Sequence, residues 1–182
     1  MKVYEPLVTK GYEWVNCCDD ADYEVFLAWD GSPQGERWNP VKVRRVRADE
    51  RQEFNPSDFP WLGAHALVMR KRAVDALSAI LDPYGELLPL ASGDEVELFV
   101  FNARAVDALD EERSTIIRFP GTSRIIRLTK VAFAEAAIRD VEIFRLPHRT
   151  SPTYVSQRFV DRVEDAELIG LQFKRVWTST RR

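Results

Sequence analysis

Hydrophobic periodicity limits what this chain can fold into more than any motif does. Two segments carry apolar residues at helical 3–4 spacing, whereas short runs of Val, Ile, Leu and aromatics bounded by turn residues recur along the whole length. The first helical segment is 66–81, where Val74, Leu77 and Leu81 form a stripe flanked by Ala73 and Ile80, and Asp82 and Pro83 supply the stop. The second is 157–165, with Phe159, Val160 and Val163 on one face and Ser156 in position to cap it. Strand signals fall at 2–4, 23–29, 41–46, 86–90, 96–101, 115–119, 124–129, 141–146, 154–155 and 171–177. Residues 41–46 alternate Val with Lys or Arg, which predicts a half-buried strand with a basic outer face; 115–119 and 124–129 flank the Pro120–Gly121 turn and predict a hairpin. Residues 19–22 read as a turn, 30–40 as a loop, 102–114 as a partly helical connector, and 178–182 as a frayed tail, while 131–138 suits a short helix and a strand equally. Strands and helices do not alternate regularly, so a doubly wound sheet is disfavoured. The expectation is an α+β fold with a mainly antiparallel sheet and two principal helices. A length of 182 residues fits one domain, 1–182.

Charge is spread unevenly. Residues 1–36 carry eight acids against two lysines, a net of −6, and residues 37–72 carry nine bases against four acids, a net of +5. The two stretches either pair with each other, or the first offers an acidic surface to a basic partner. The whole chain has a net charge of −3, which argues against a dedicated nucleic-acid binder. Neither an apolar leader nor a run of apolar residues long enough to span a bilayer is present.

Catalytic motifs are scarce. Gly-rich phosphate loops, metalloprotease helices and nucleophile elbows are missing from the sequence, and no cofactor or metal is implied. The two cysteines, Cys17 and Cys18, are adjacent, so a disulfide between them would be strained; this usage suits a reducing cytoplasm. Cys18 could act as a nucleophile with His65 or His148, but no third, orienting group can be placed. Asp107, Asp110, Glu111 and Glu112 form the densest acidic group, and their near-contiguity scatters the side chains rather than focusing them on one atom.

Three stretches occur in order: DFPW followed by ALVMRKRAVDALSAILDPYGELLPL within 58–90, VDALDEERST at 106–115, and IFRLPHRTSPTYVSQRFVDRVEDAELIGLQFKRVW at 143–177. Together they resemble the immunity proteins of bacterial polymorphic toxin systems, specifically the eleventh numbered family. The resemblance covers 58–177, about two-thirds of the chain, and leaves 1–57 unassigned though within the same domain. It implies a cytoplasmic, non-enzymatic protein that protects the producing cell or its kin by binding a cognate protein toxin. The family's pattern positions fall on Asp107, Asp110, Ser114, Phe144, Gly170 and Phe173, whose residue types suit turn capping, core packing and a backbone site with positive φ. The alternatives to toxin binding are a small enzyme using Cys18 or the Asp107–Glu112 carboxylates, and a regulatory protein-binding module.

Partner specificity is then expected outside the shared pattern. Asp19, Asp20, Asp22 and Asp30 are the candidate partner-binding acids, with Trp14 or Trp29 as an aromatic anchor. Such a surface suits a basic toxin such as a nuclease; neither nucleic acid nor membrane is an expected partner, and the oligomeric state is left open.

Overall fold

The computed structural model describes residues 1–179. It is an α+β fold with mostly antiparallel sheets. Four strands make one antiparallel sheet: β1 (Lys2–Val8), β9 (Ile143–Phe144), β10 (Tyr154–Ser156) and β11 (Leu171–Thr178), in the order β11-β1-β10-β9. The N-terminal strand is therefore paired on both sides by strands from the C-terminal third. A second sheet holds β2 (Trp14–Cys17), β3 (Lys42–Val46), β4 (Leu67–Arg70), β5 (Gly85–Ser92) and β6 (Leu98–Ala103), in the order β2-β3-β5-β6-β4. The β3–β5 pairing is parallel and the others are antiparallel. The third sheet is the predicted hairpin, β7 (Thr115–Arg118) with β8 (Ile125–Lys130).

The two principal helices are α2 (Lys71–Leu81) and α4 (Gln157–Asp165). They pack on each other and share a core with the inward faces of both large sheets: Ala73, Leu77 and Leu81 meet Phe159 and Val163, with Leu67, Met69, Phe101, Ile143 and Val155 beneath them. Ser156 caps α4, its Oγ accepting from the Phe159 N–H at 3.2 Å. The opposite face of the five-stranded sheet is covered by Phe26, Trp29 and Leu62. That of the four-stranded sheet is covered by Ala108, Val131, Phe133 and Ile138.

This layering explains where the structure departs from the sequence reading. Residues 66–70 are extended, with β4 over Leu67–Arg70, rather than opening the long helix, because the sheet is covered on both faces. Leu67 and Met69 enter the core shared with the helices while Ala66 and Val68 enter the other, so an unbroken apolar run is required. Arg70 is still extended, and α2 begins at Lys71. Residues 23–29, expected as a strand, instead form α1 (Tyr23–Leu27). The Asp19 side chain accepts from the Ala21 N–H at 2.9 Å, which starts a 3-10 turn over Asp20–Asp22 that runs into α1 and places Phe26 and Trp29, three residues apart, on one buried face. The connector 102–114 has no helix because its backbone is bonded to distant segments: Val106 N–H to Arg145 O, Asp110 N–H to Ala132 O, and Ala134 N–H to Ala108 O. Residues 131–138 begin extended and end in α3 (Glu135–Ile138). Of the tail, Thr178 closes β11, and 180–182 lie outside the described residues.

Candidate protein-binding groove

The acidic turn is fixed to the five-stranded sheet by one bond. Cys18 N–H donates to Lys42 O at 2.9 Å, joining the end of β2 to the start of β3. Asp19 and Asp22 therefore stand across from Arg37, Trp38 and Lys42, along a surface groove of about 610 Å³ that also exposes Val25. The facing loop is held from below: Gln34 N–H donates to Glu86 at 2.6 Å, and Trp38 Nε1–H donates to Pro89 O at 2.8 Å. Trp38 leans on Trp29, with ring centroids 5.8 Å apart, so one ring anchors the loop in the core and the other remains half-exposed at the groove.

The predicted partner residues divide between the groove and elsewhere. Asp19 and Asp22 line it, and Asp20 is exposed in the same turn. Asp30 is exposed outside the lining, and its carboxylate is engaged locally; hydrogen bonds from the Ser32 hydroxyl and N–H hold it below the usual carboxylate range. Trp14 is half-buried against Phe54, at 4.7 Å between centroids, and sits away from the groove. Trp29 is 4% exposed within the core, so its ring is closed to a partner. The aromatic that does line the groove is Trp38, which the sequence reading misses. Its signal is a large aromatic placed in a polar loop with no apolar period to absorb it.

The charged stretches of the first 72 residues are partly paired internally. Glu13, 2% exposed, accepts from Arg45 at 3.1 Å, from Ser57 N–H at 3.1 Å and from Arg70. Arg45 also holds Asp94; partial desolvation opposes ionisation there, but bonds from Ser92 and Arg45 keep that carboxyl down at about 2. Glu13 is thus a structural charge; Lys42 and Arg44 keep the basic outer face expected of β3, while Arg45 is turned inward. Asp19 and Asp20 are exposed in the turn, as are Glu24, Asp30, Glu36, Asp49, Glu50 and Glu53 elsewhere in this stretch.

Cys17 and Cys18 are free thiols. Burial, and then the nearby carboxyl of Asp22, pushes the Cys17 thiol up to about 11, so it stays protonated at neutral pH. His65 is buried edge-on against Tyr23 and is pulled down to about 4 by burial and by Arg145. Among the described residues neither histidine is hydrogen-bonded to a cysteine, and no cluster of three His, Cys, Asp or Glu side chains is placed to hold a metal ion.

The pattern positions sit where their residue types suggest. Asp110 accepts from the Arg113 N–H at 3.1 Å, closing a turn, and Ser114 Oγ accepts from the Ala132 N–H at 2.9 Å, tying that turn to the next segment. Asp107 is exposed and Glu111 pairs with Arg118 at 2.8 Å; both line a cavity of about 470 Å³ with His148, whereas Asp110 is engaged in its own turn. Phe144 packs in an aromatic group with Phe133 and Tyr154. Phe173 is half-buried against Phe159, at 6.3 Å, rather than fully in the core. Gly170 has φ +105° beside Ser57.

The chain is an α+β fold with several open surface clefts, of which the groove beside the acidic turn is one. Residues 94–178, a little under half of the chain, match the family model described as Immunity protein family (Imm11). The match runs from just before β6 to the end of β11 and contains all six pattern positions. The lead-in at 58–90 lies outside it, as does the groove. No curated protein matches the chain. Among the described residues no helix is long and apolar enough to cross a membrane.

Proposed function

We propose that this chain is an immunity protein of a polymorphic toxin system, acting in the bacterial cytoplasm by binding and neutralising a cognate toxin. The family match over 94–178 carries this reading. The N-terminal turn supplies the part that would distinguish one partner from another: Asp19, Asp20 and Asp22 cluster at a groove with the half-exposed Trp38 on its far side. Unpaired surface acids of this kind raise encounter rates with a basic protein such as a nuclease, and a partly buried indole beside them is a suitable anchor. Asp30 extends the negative field, and the partly exposed ring of Trp14 offers a second contact from β2. The chain acts as one domain, 1–182, a reading supported by β1 lying between β10 and β11.

The test is to identify a large secreted protein encoded beside this gene and to co-express its C-terminal domain with the chain. Growth should be restored, and the two proteins should purify together. A folded protein that neither restores growth nor co-purifies with that domain overturns the proposal.

A further inference from the structure

The hairpin β7–β8 stands apart from both large sheets, and among the described residues each of its strands is paired only with the other. Residues 125–131 all line a cleft of about 360 Å³. Successive side chains of a strand point to opposite faces, so an unbroken run of lining residues means that the strand meets the cleft edge-on. The opposite wall is the four-stranded sheet, where Lys174 of β11, Glu5 of β1 and Tyr154 of β10 line the cleft from neighbouring strands, with Arg175 and Val176 beside them at the open β11 side. The unpaired β8 edge therefore faces this sheet across one cleft.

The cleft carries a definite charge. Arg127, Lys130, Lys174 and Arg175 line it against the single carboxylate Glu5, which lies opposite Lys174 in the β1–β11 register. The hairpin segment 113–130 contains five bases and no acid. Basic residues on an edge strand also discourage unwanted pairing. A merely guarded edge, however, would not present Ile126, 46% exposed, among these bases at the cleft. An exposed apolar group set among charges of one sign suits a surface that is covered in use.

Resting on the reading that the chain binds a toxin, we infer that the β8–β11 cleft receives an extended acidic segment of that partner, which adds as a strand to the β8 edge while Arg127, Lys130, Lys174 and Arg175 meet its carboxylates. Strand addition draws affinity from main-chain hydrogen bonds and selectivity from alternate side chains. Here the alternate positions would be acidic toward the cleft walls and apolar toward Ile126. The cleft is basic where the Asp19–Asp22 turn is acidic, so the chain would hold a partner at two oppositely charged places, one for the basic body of the toxin and one for an acidic strand.

The test uses the full chain and an end-capped peptide alternating Glu and Val, with binding followed by calorimetry and by amide exchange across 125–130. Binding with slowed exchange in β8 is expected. Methylating the peptide's backbone nitrogens should weaken binding by at least about tenfold, as should Arg127→Glu with Lys130→Glu in a protein whose melting is unchanged. A Lys–Val peptide should not bind. Absence of binding, equal binding by the methylated peptide, or binding indifferent to the charge reversal each overturns the inference. The toxin assignment is tested separately with the neighbouring gene's C-terminal domain. If wild-type chain binds that domain and the double reversal binds it equally well, the toxin-binding reading stands and the cleft's part in it is overturned. If wild-type chain does not bind it at all, that reading fails, and peptide binding alone would then show a strand-accepting cleft for another acidic protein.

Discussion

Gly170→Ala should be among the most damaging single substitutions in the chain, and its cost can be divided into parts. Gly170 sits at φ +105°, a conformation that L residues avoid; an alanine there costs about 1–3 kcal/mol from the backbone alone. Its new Cβ would lie 1.8 Å from Ser57 Oγ and 2.8 Å from Ser57 Cβ. The two segments cannot simply separate. Asp58 N–H donates to Ile169 O at 2.9 Å, and Ile169 N–H donates to the Asp58 carboxylate at 2.9 Å, while Ser57 N–H is held by buried Glu13. Forcing them apart adds about 1–3 kcal/mol, the usual range for overpacking, giving a total of about 2–6 kcal/mol. Ser57→Gly removes both close contacts and leaves Ser57 Cα at 3.3 Å, an ordinary separation after slight adjustment. A double-mutant cycle in urea should therefore show a favourable coupling of about 2 kcal/mol, the steric part, with the backbone part still present in the double mutant. A loss below about 1 kcal/mol for Gly170→Ala, or additive effects of the two changes, would refute this account of why glycine occupies the position.

Other substitutions test the core, the buried charges and the thiols. Leu77→Ala, in the core shared by α2 and α4, should cost about 2–5 kcal/mol on a chemical melt; less than about 1 kcal/mol would mean that this face is not packed. His65 is neutral at pH 7 because burial depresses it to about 4, so the unfolded chain takes up a proton first as pH falls below 6.5. Stability should be fully present above pH 6.5 and lost progressively down to pH 4, by on the order of 3 kcal/mol, and His65→Leu should flatten that part of the urea-midpoint profile. Arg145 is 2% exposed, and its Nε and one Nη have no protein partner. Arg145→Met should be neutral or stabilising by about 1–4 kcal/mol, and a loss above about 2 kcal/mol would show that the guanidinium is satisfied in solution. Cys17→Ser with Cys18→Ser should leave protection from the toxin intact; a folded double mutant that fails to protect would restore a chemical role for these thiols.

Much of the fold was legible where local signals and tertiary context agree. Ser156, the Phe159–Val160–Val163 stripe and the Pro120–Gly121 turn each act within a few residues, and α4 and the β7–β8 hairpin follow from them. The signal failed where a distant segment decides the conformation. Residues 66–70 read as helix because an apolar run covered on both faces has no period of its own, and the cover comes from α2, α4 and Trp29. Residues 23–29 are rich in strand formers, but the Asp19 cap sets the chain turning before they begin. At the candidate site the acids were legible as composition, whereas their arrangement was not: Glu13 is held inside by Arg45 and Arg70, Trp29 is in the core, and Trp38 reaches the groove through a bond to Pro89 that links residues far apart in sequence.

Association kinetics decide whether the acidic turn recruits a basic toxin, as proposed. The C-terminal domain encoded by the neighbouring gene would be immobilised, and association of the wild-type chain measured by surface plasmon resonance at low and high salt alongside Asp19→Asn, Asp20→Asn, Asp22→Asn in combination. The triple variant, melting like wild type, is expected to associate about tenfold or more slowly at low salt, with a flattened salt dependence. A folded triple variant that associates as fast as wild type at low salt would contradict it and move the interface away from the turn.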